Sequence, residues 1–217
     1  MGGFIQEKLF QLSIMALPFL LAVTMREAAK AYVAHWLGDT SQRASGRLSL
    51  NPLSHVDPAG TIVIPLIIFF LGVPFLIGHG KLVHIQTHGF KNMKRDNILA
   101  ALAGVFGNLV MAIFCAYVFR IAVYFGATGQ DWILNAMYFG VLLNCVFIIF
   151  SLLPIPPTDG SKVVEQFLPY DMLQSYRSIA PFGFFIIIGI IMFAREIITV
   201  PSEFLSNLIL VLANVPI

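Results

Sequence analysis

Three stretches of this chain, Leu9–Met25, Ile98–Phe125 and Trp132–Leu153, are apolar almost without a break, and each approaches or exceeds the ~20 residues that a helix needs to cross a ~30 Å hydrocarbon core. Inside a bilayer a segment must satisfy its own backbone N–H and C=O groups, so helices are the form these runs take. Composition agrees: 58% of residues are hydrophobic and 11% charged, with a mean hydropathy of +0.86, outside the range of soluble globular domains. The 217 residues suit a single transmembrane domain, 1–217. A net charge of +2, scattered along the chain, gives nucleic acid no surface to bind. Cys115 and Cys145 each lie inside an apolar run and read as packing residues rather than a disulfide or a metal pair. The start, MGGFIQEKLF, lacks a basic region followed by a small-residue cleavage site, so the first apolar run is expected to be retained.

Helix-forming residues continue past Met25 to Leu37, where Gly38-Asp39 stops them. A helix over 8–37 is about 45 Å long, which places the sequence MREAAKAY, residues 25–32, within it or at the membrane boundary. Residues 38–60 are polar and turn-rich, with GRLSL as a possible short strand. Thr61–Ile77 is apolar but contains Pro65, Gly72 and Pro74, so it is either a minimal span or a re-entrant segment. GHGKLVHIQTHG then alternates loosely enough for an edge strand before the basic cluster Lys91, Lys94 and Arg95. Beyond the third clear span come PIPPTDGSK, a polar segment to Ser178, an expected last span over Ile179–Ile198, and an apolar stretch, Phe204–Val215, too short to assign.

Lys and Arg set the orientation. The loop Gly126–Asp131 has no cation, whereas the opposite side holds Lys81, Lys91, Lys94, Arg95, Lys162 and Arg177; that side is expected to be cytoplasmic. Arg43 and Arg47 obey the same rule only if Thr61–Ile77 turns back.

The segments NPLSHVDPAGT (51–61), KNMKRDNILAALAG (91–104) with Asn108, and LLPIPPTDGS (152–161) resemble successive signatures of the site-2 proteases, zinc-dependent intramembrane metalloproteases, in their short bacterial form. The resemblance covers about 14–165. It implies an all-α polytopic membrane protein with a site-2 protease-like core of about four to six hydrophobic segments and a small membrane-associated β element. Extra C-terminal hydrophobic segments occupy about 179–217. It also implies a place in a bacterial cytoplasmic membrane. In such proteins the first long helix carries H-E-x-x-H, two histidines on one face for zinc and a glutamate that activates the metal-bound water. The frame here reads Arg26-Glu27-Ala28-Ala29-Lys30. By the same resemblance Asp159 of PIPPTDG is a zinc ligand, and Asn108, His55 and Asp57 belong to substrate-binding or structural loops.

A guanidinium and an ammonium have no lone pair for a metal. Asp159 is then the only family ligand left and Glu27 a vestigial base, so no cofactor is expected where the family uses zinc. An occupied family site sums to zero charge from Zn²⁺, one Glu, one Asp and two neutral imidazoles. Arg26, Lys30, Glu27 and Asp159 also sum to zero, which suggests that the two cations replace the ion, Arg26 forking onto Asp159 and Lys30 pairing with Glu27 at i, i+3. The plainer reading makes REAAK an interfacial turn whose Arg and Lys reach to the headgroups, without contact to Asp159.

His79, His84 and His88 share one polar segment but match no zinc spacing, and His35 beside Trp36 reads as interfacial. Leu82 and His84 stand where the family tends to have prolines in its edge strand, and Val105 replaces another expected proline. A strand of this kind can still pair with an unwound partner through backbone groups. Three functions follow. The first is a pseudoprotease that binds transmembrane segments or regulates membrane partners, an active protease relative among them. The second is an active zinc endopeptidase with a modified metal site. The third is a small transporter relaying charge through Arg26, Lys30, Glu27 and Asp159.

Overall fold

The computed structural model describes residues 2–70 and 78–215. Helix α1, Gly2–Trp36, is about 52 Å long at 1.5 Å per residue, so it extends beyond the hydrocarbon core. Gly38 ends it with a positive φ of 115°, returning its N–H to the His35 carbonyl at 3.0 Å while the Asp39 N–H bonds the Ala34 carbonyl at 2.9 Å. A side chain at Gly38 would also strike the Gly89 backbone, so glycine there both turns the chain and seats it against the later loop.

After the short α2, Ser41–Ala44, the chain reaches a π-helical turn, Pro58–Val63, that runs into α3, Ile64–Phe70. The second half of the expected re-entrant segment, 71–77, lies outside the described residues. The described residues on either side of the segment meet, His79 N–H donating to the Gly60 carbonyl at 3.0 Å. Gly60 and His79 therefore lie on one face.

Among the described residues there is no β-strand, so the small β element expected at GRLSL and GKLVHI is not formed. Residues 79–86 form no regular element, and their partners are side chains and loop carbonyls rather than a second strand. Helix α4, Met93–Tyr124, and α5, Trp132–Leu152, match the two clear apolar runs. Together with α1 they are the three helices long and apolar enough to cross a membrane, or four if Tyr170–Phe193 is counted as one bent span.

The core sits where α1, α4 and α5 meet. A Cβ at Gly140 of α5 would lie 2.7 Å from Cys115 Sγ and 3.4 Å from Pro18, and Ala112, Ala116, Ala136 and Val141 are fully buried nearby. Such small residues let helices approach closely where lipid offers no hydrophobic incentive to pack. Cys115 and Cys145 are buried free thiols in this core.

The C-terminal part departs from expectation. After α6, Asp159–Glu165, and α7, Tyr170–Arg177, in place of one span over Ile179–Ile198 there is a 3-10 turn, Ala180–Phe182, then α8, Gly183–Phe193, a break at Ala194, and α9, Glu196–Leu212. The exposed pair Arg195 and Glu196, 3.6 Å apart, interrupts the apolar run. The stretch too short to assign is most of α9, which buries Ile209 and Leu210 against α4 and α5. Arg120 of α4 caps it by donating to the carbonyls of Ala213 and Asn214.

Candidate functional site: a buried ion cluster

Glu27 and Lys30 lie on the inner face of α1, 3% and 7% exposed. Lys30 reaches the start of α6, Asp159–Glu165, whose N-cap Thr158 accepts from the Ser161 N–H at 3.3 Å. Thr158 also donates to the Leu153 carbonyl, fixing the turn that delivers Asp159, 3% exposed, to α1. Lys30 Nζ is 2.7 Å from Asp159 Oδ2, and Arg26 Nη2 donates to the same oxygen at 2.9 Å. Lys162, one turn along α6, stands 3.6 Å from Oδ1.

This geometry differs from the sequence expectation in three respects. Arg26 touches Asp159 through one nitrogen, not as a fork, and its buried Nε has no partner. Lys30 is 3.9 Å from Glu27, so its close partner is Asp159. With Lys162, three cations surround one carboxylate and the cluster carries one net positive charge. The i, i+3 spacing of Asp159 and Lys162 was the signal available for that third cation. REAAK is therefore not a turn remote from Asp159.

Glycine makes room for the cluster. A Cβ at Gly104 of α4 would lie 2.5 Å from Lys30 Cε and 3.1 Å from Arg26 Cγ, and one at Gly107 would lie 2.8 Å from the Met25 carbonyl. The other side is closed by the extended segment. Val83 N–H donates to Glu27 Oε2 at 3.3 Å, and a Cβ at Gly80 would crowd Glu27 Cγ and the His55 carbonyl, each at 2.9 Å.

The remaining predicted residues do not join the ion pairs. Asn108, 1% exposed, has no hydrogen-bond partner for either amide atom. His55 is fully buried; its Nε2 donates to the Ser49 carbonyl at 2.7 Å and its own carbonyl accepts from Lys81 N–H at 2.7 Å. Asp57 caps the π-helical turn, accepting from Gly60 N–H at 2.6 Å. His35 Nδ1 lies 3.2 Å from the Asp39 carbonyl. His79 Nδ1 donates to the Gly80 carbonyl at 2.9 Å.

The fold and site thus define a polytopic helical membrane protein with a cation-rich ion cluster between its first long helix and a Pro-rich turn. No protein-family profile matches the chain, and no solved structure matches it. It is similar to "Putative zinc metalloprotease YwhC" of Bacillus subtilis, 28% identical over 193 residues, covering 86% of this chain and 83% of that protein. It is also similar to "Putative zinc metalloprotease Rip2" of Mycolicibacterium smegmatis, 30% identical over 174 residues, 78% of this chain and 63% of that protein. The Rip2 of Mycobacterium tuberculosis strain H37Rv is 26% identical over 167 residues, 75% of this chain and 59% of that protein.

The zinc in those names does not fit the residues of this cluster. Arg26 and Lys30 offer no lone pair, and both Asp159 oxygens already face cations. A catalytic zinc takes three protein donors and keeps one position open, whereas Glu27 and Asp159 are the only carboxylates here. Among the described residues, no group of three or more His, Cys, Asp and Glu side chains is placed to hold a metal.

Proposed function

We propose that this chain is a site-2 protease homologue that does not cleave, and that it binds transmembrane segments or regulates membrane partners in a bacterial cytoplasmic membrane, an active relative among them. The observation that carries this reading is the pairing of Asp159 with Lys30 and Arg26 at 2.7 and 2.9 Å. These contacts fill the metal position with fixed positive charge and neutralise carboxylates that would otherwise be costly at membrane depth. Without a metal, water keeps a pKa far above 7, and Glu27 has no activated nucleophile to form.

The extended segment limits how a partner can pair. Lys81 N–H, Val83 N–H and the Lys81 carbonyl are all occupied by this chain. On the opposite edge the carbonyls of Leu82 and His84 are held by Arg47 and Gln42, so a partner strand finds single N–H groups there rather than a free ladder edge. The competing reading, a zinc-dependent endopeptidase, is favoured by the names of the similar proteins.

Elemental analysis of the purified protein separates the two. Less than a tenth of an equivalent of zinc is expected from the wild type, and a marked gain from the Arg26→His, Lys30→His double variant, which restores two imidazole donors beside Asp159. About one zinc per wild-type chain, resistant to mild chelation, would reject the non-catalytic reading.

A further inference from the structure

A second site adjoins the ion cluster across the segment that closes it, on the face that carries the basic loops. Arg47, Asp57, His79, Lys81, Leu82 and His84 line an open cavity of about 250 Å³. Arg47 is 7% exposed, yet its guanidinium meets only main-chain carbonyls, those of Lys81 at 2.8 Å and Leu82 at 3.5 Å. Among the described residues it has no carboxylate partner. A buried guanidinium without a counter-charge is costly, and an anion in the cavity would relieve it.

The other lining groups suit the same occupant. The Lys81 side chain is exposed and unpaired among the described residues. The Leu82 and His84 amides are free there, and the imidazole of His84 adds an N–H donor, whereas that of His79 is spent on the Gly80 carbonyl. The one carboxylate, Asp57, is spent on Gly60 N–H at 2.6 Å, and with neutral imidazoles the cavity keeps one net positive charge. Leu82 of its lining is 54% exposed, and Leu50 and Leu53, 63% and 81% exposed, lie on the loop that is tied to Lys81 through the His55 carbonyl. Exposed leucines around a cationic recess are the pattern of a surface seated at the headgroup level of a leaflet.

We propose that this cavity binds a phosphate group, supplied by an anionic lipid headgroup. Arg47 and Lys81 take the phosphate oxygens, with the Leu82 and His84 amides as further donors. The site is independent of the ion cluster and of whether the chain cleaves anything.

The test uses the full chain in detergent micelles doped with phosphatidylglycerol or phosphatidylcholine, with lipid retention read by native mass spectrometry. A parallel arm compares thermal unfolding in sodium phosphate and sodium chloride at equal ionic strength. Lys81→Gln, His84→Gln is the test variant, because neither side chain has a hydrogen bond to lose, and exposed Arg43→Gln on the same face is the control. Wild type and control should retain phosphatidylglycerol over phosphatidylcholine, and the test variant should lose about fivefold or more of that preference, as one cation removed near an anionic surface implies. Stabilisation by inorganic phosphate, lost in the test variant and without a lipid preference, would uphold the phosphate site but assign it a soluble ligand. Equal retention of the two lipids with no phosphate effect, or undiminished binding by the test variant, would overturn the proposal.

Discussion

Asp159 is the residue on which the cluster depends, because Arg26, Lys30 and Lys162 all converge on its buried carboxylate. Removing its charge leaves buried Lys30 beside half-buried Arg26 with their shared counter-charge gone, and breaking a buried pair in this way typically costs ~3–5 kcal/mol. Removing Arg26 is milder, since Lys30 still stands 2.7 Å from the carboxylate; the loss is about one charged hydrogen bond, ~1.5–3 kcal/mol. Asp159→Asn should therefore lower stability in detergent more than Arg26→Gln, and the double variant should lose less than the sum. A thermal or denaturant double-mutant cycle reads this directly, and additivity within ~0.5 kcal/mol would show that the two residues do not interact. The meeting of Arg26 with Asp159 was legible in the sequence because the flanking motifs fixed both positions and charge balance demanded a partner. The preference of Lys30 for Asp159 over Glu27 was not. An i, i+3 spacing makes Glu27 reachable, but only the packing of α6 against α4 and α5 brings a second carboxylate closer.

At the scale of elements, the segment 79–86 is the part that sequence reasoning described least well. Its loose alternation suggested a strand, yet strands require a partner backbone, and here side chains of the preceding loop take that place. Arg47 holds the Lys81 and Leu82 carbonyls, Gln42 donates to the His84 carbonyl at 2.8 Å, and Asp39 accepts from Gln86 N–H at 2.9 Å. Alternation reports which residues face inward, not what satisfies their backbone groups. Burial opposes ionisation of Asp39, but the Ser41 hydroxyl, the Gln42 amide and the Gln86 and Ser41 backbone N–H groups outweigh it and hold the carboxyl below its ordinary value. A folded-state value below the unfolded one means stability that is present above the unfolded pKa and lost as pH falls through the folded one. The segment should thus stay docked above about pH 4 and loosen only in stronger acid, starting from the ordinary Asp value near 3.9. Hydrogen exchange across 79–86 should rise in that window, and Asp39→Ala should produce the same rise at neutral pH. Unchanged exchange in the variant would mean that Arg47 and Gln42 suffice.

For the whole molecule, the apolar runs foretold three spans because a run of that length admits little else, while the C-terminal third was obscured by Arg195-Glu196 and by a helix whose burial depends on the distant face of α4 and α5. The arrangement of faces follows from contacts that sequence could only pose as alternatives. Gly60 and His79 are hydrogen-bonded, Gly38 sits against Gly89, and Gln42 reaches the His84 carbonyl, so the polar segments before and after α3 form one loop layer. That layer contains Arg43, Arg47, Lys81 and Lys91, all of which then satisfy the positive-inside rule together. The loop after α4, Gly126–Asp131, lies one long helix away and has no cation. Single cysteines at Ser45, Lys91 and Gln130, all exposed positions, test this layout, since the native Cys115 and Cys145 are buried and make a quiet background. With a membrane-impermeant maleimide on sealed right-side-out vesicles, Gln130→Cys should label, while Ser45→Cys and Lys91→Cys should label only after permeabilisation. Labelling of Ser45→Cys and Lys91→Cys from opposite sides would require the chain between them to cross the bilayer, which the hydrogen bond between His79 and Gly60 forbids, and would mean that the loop layer does not exist in the membrane.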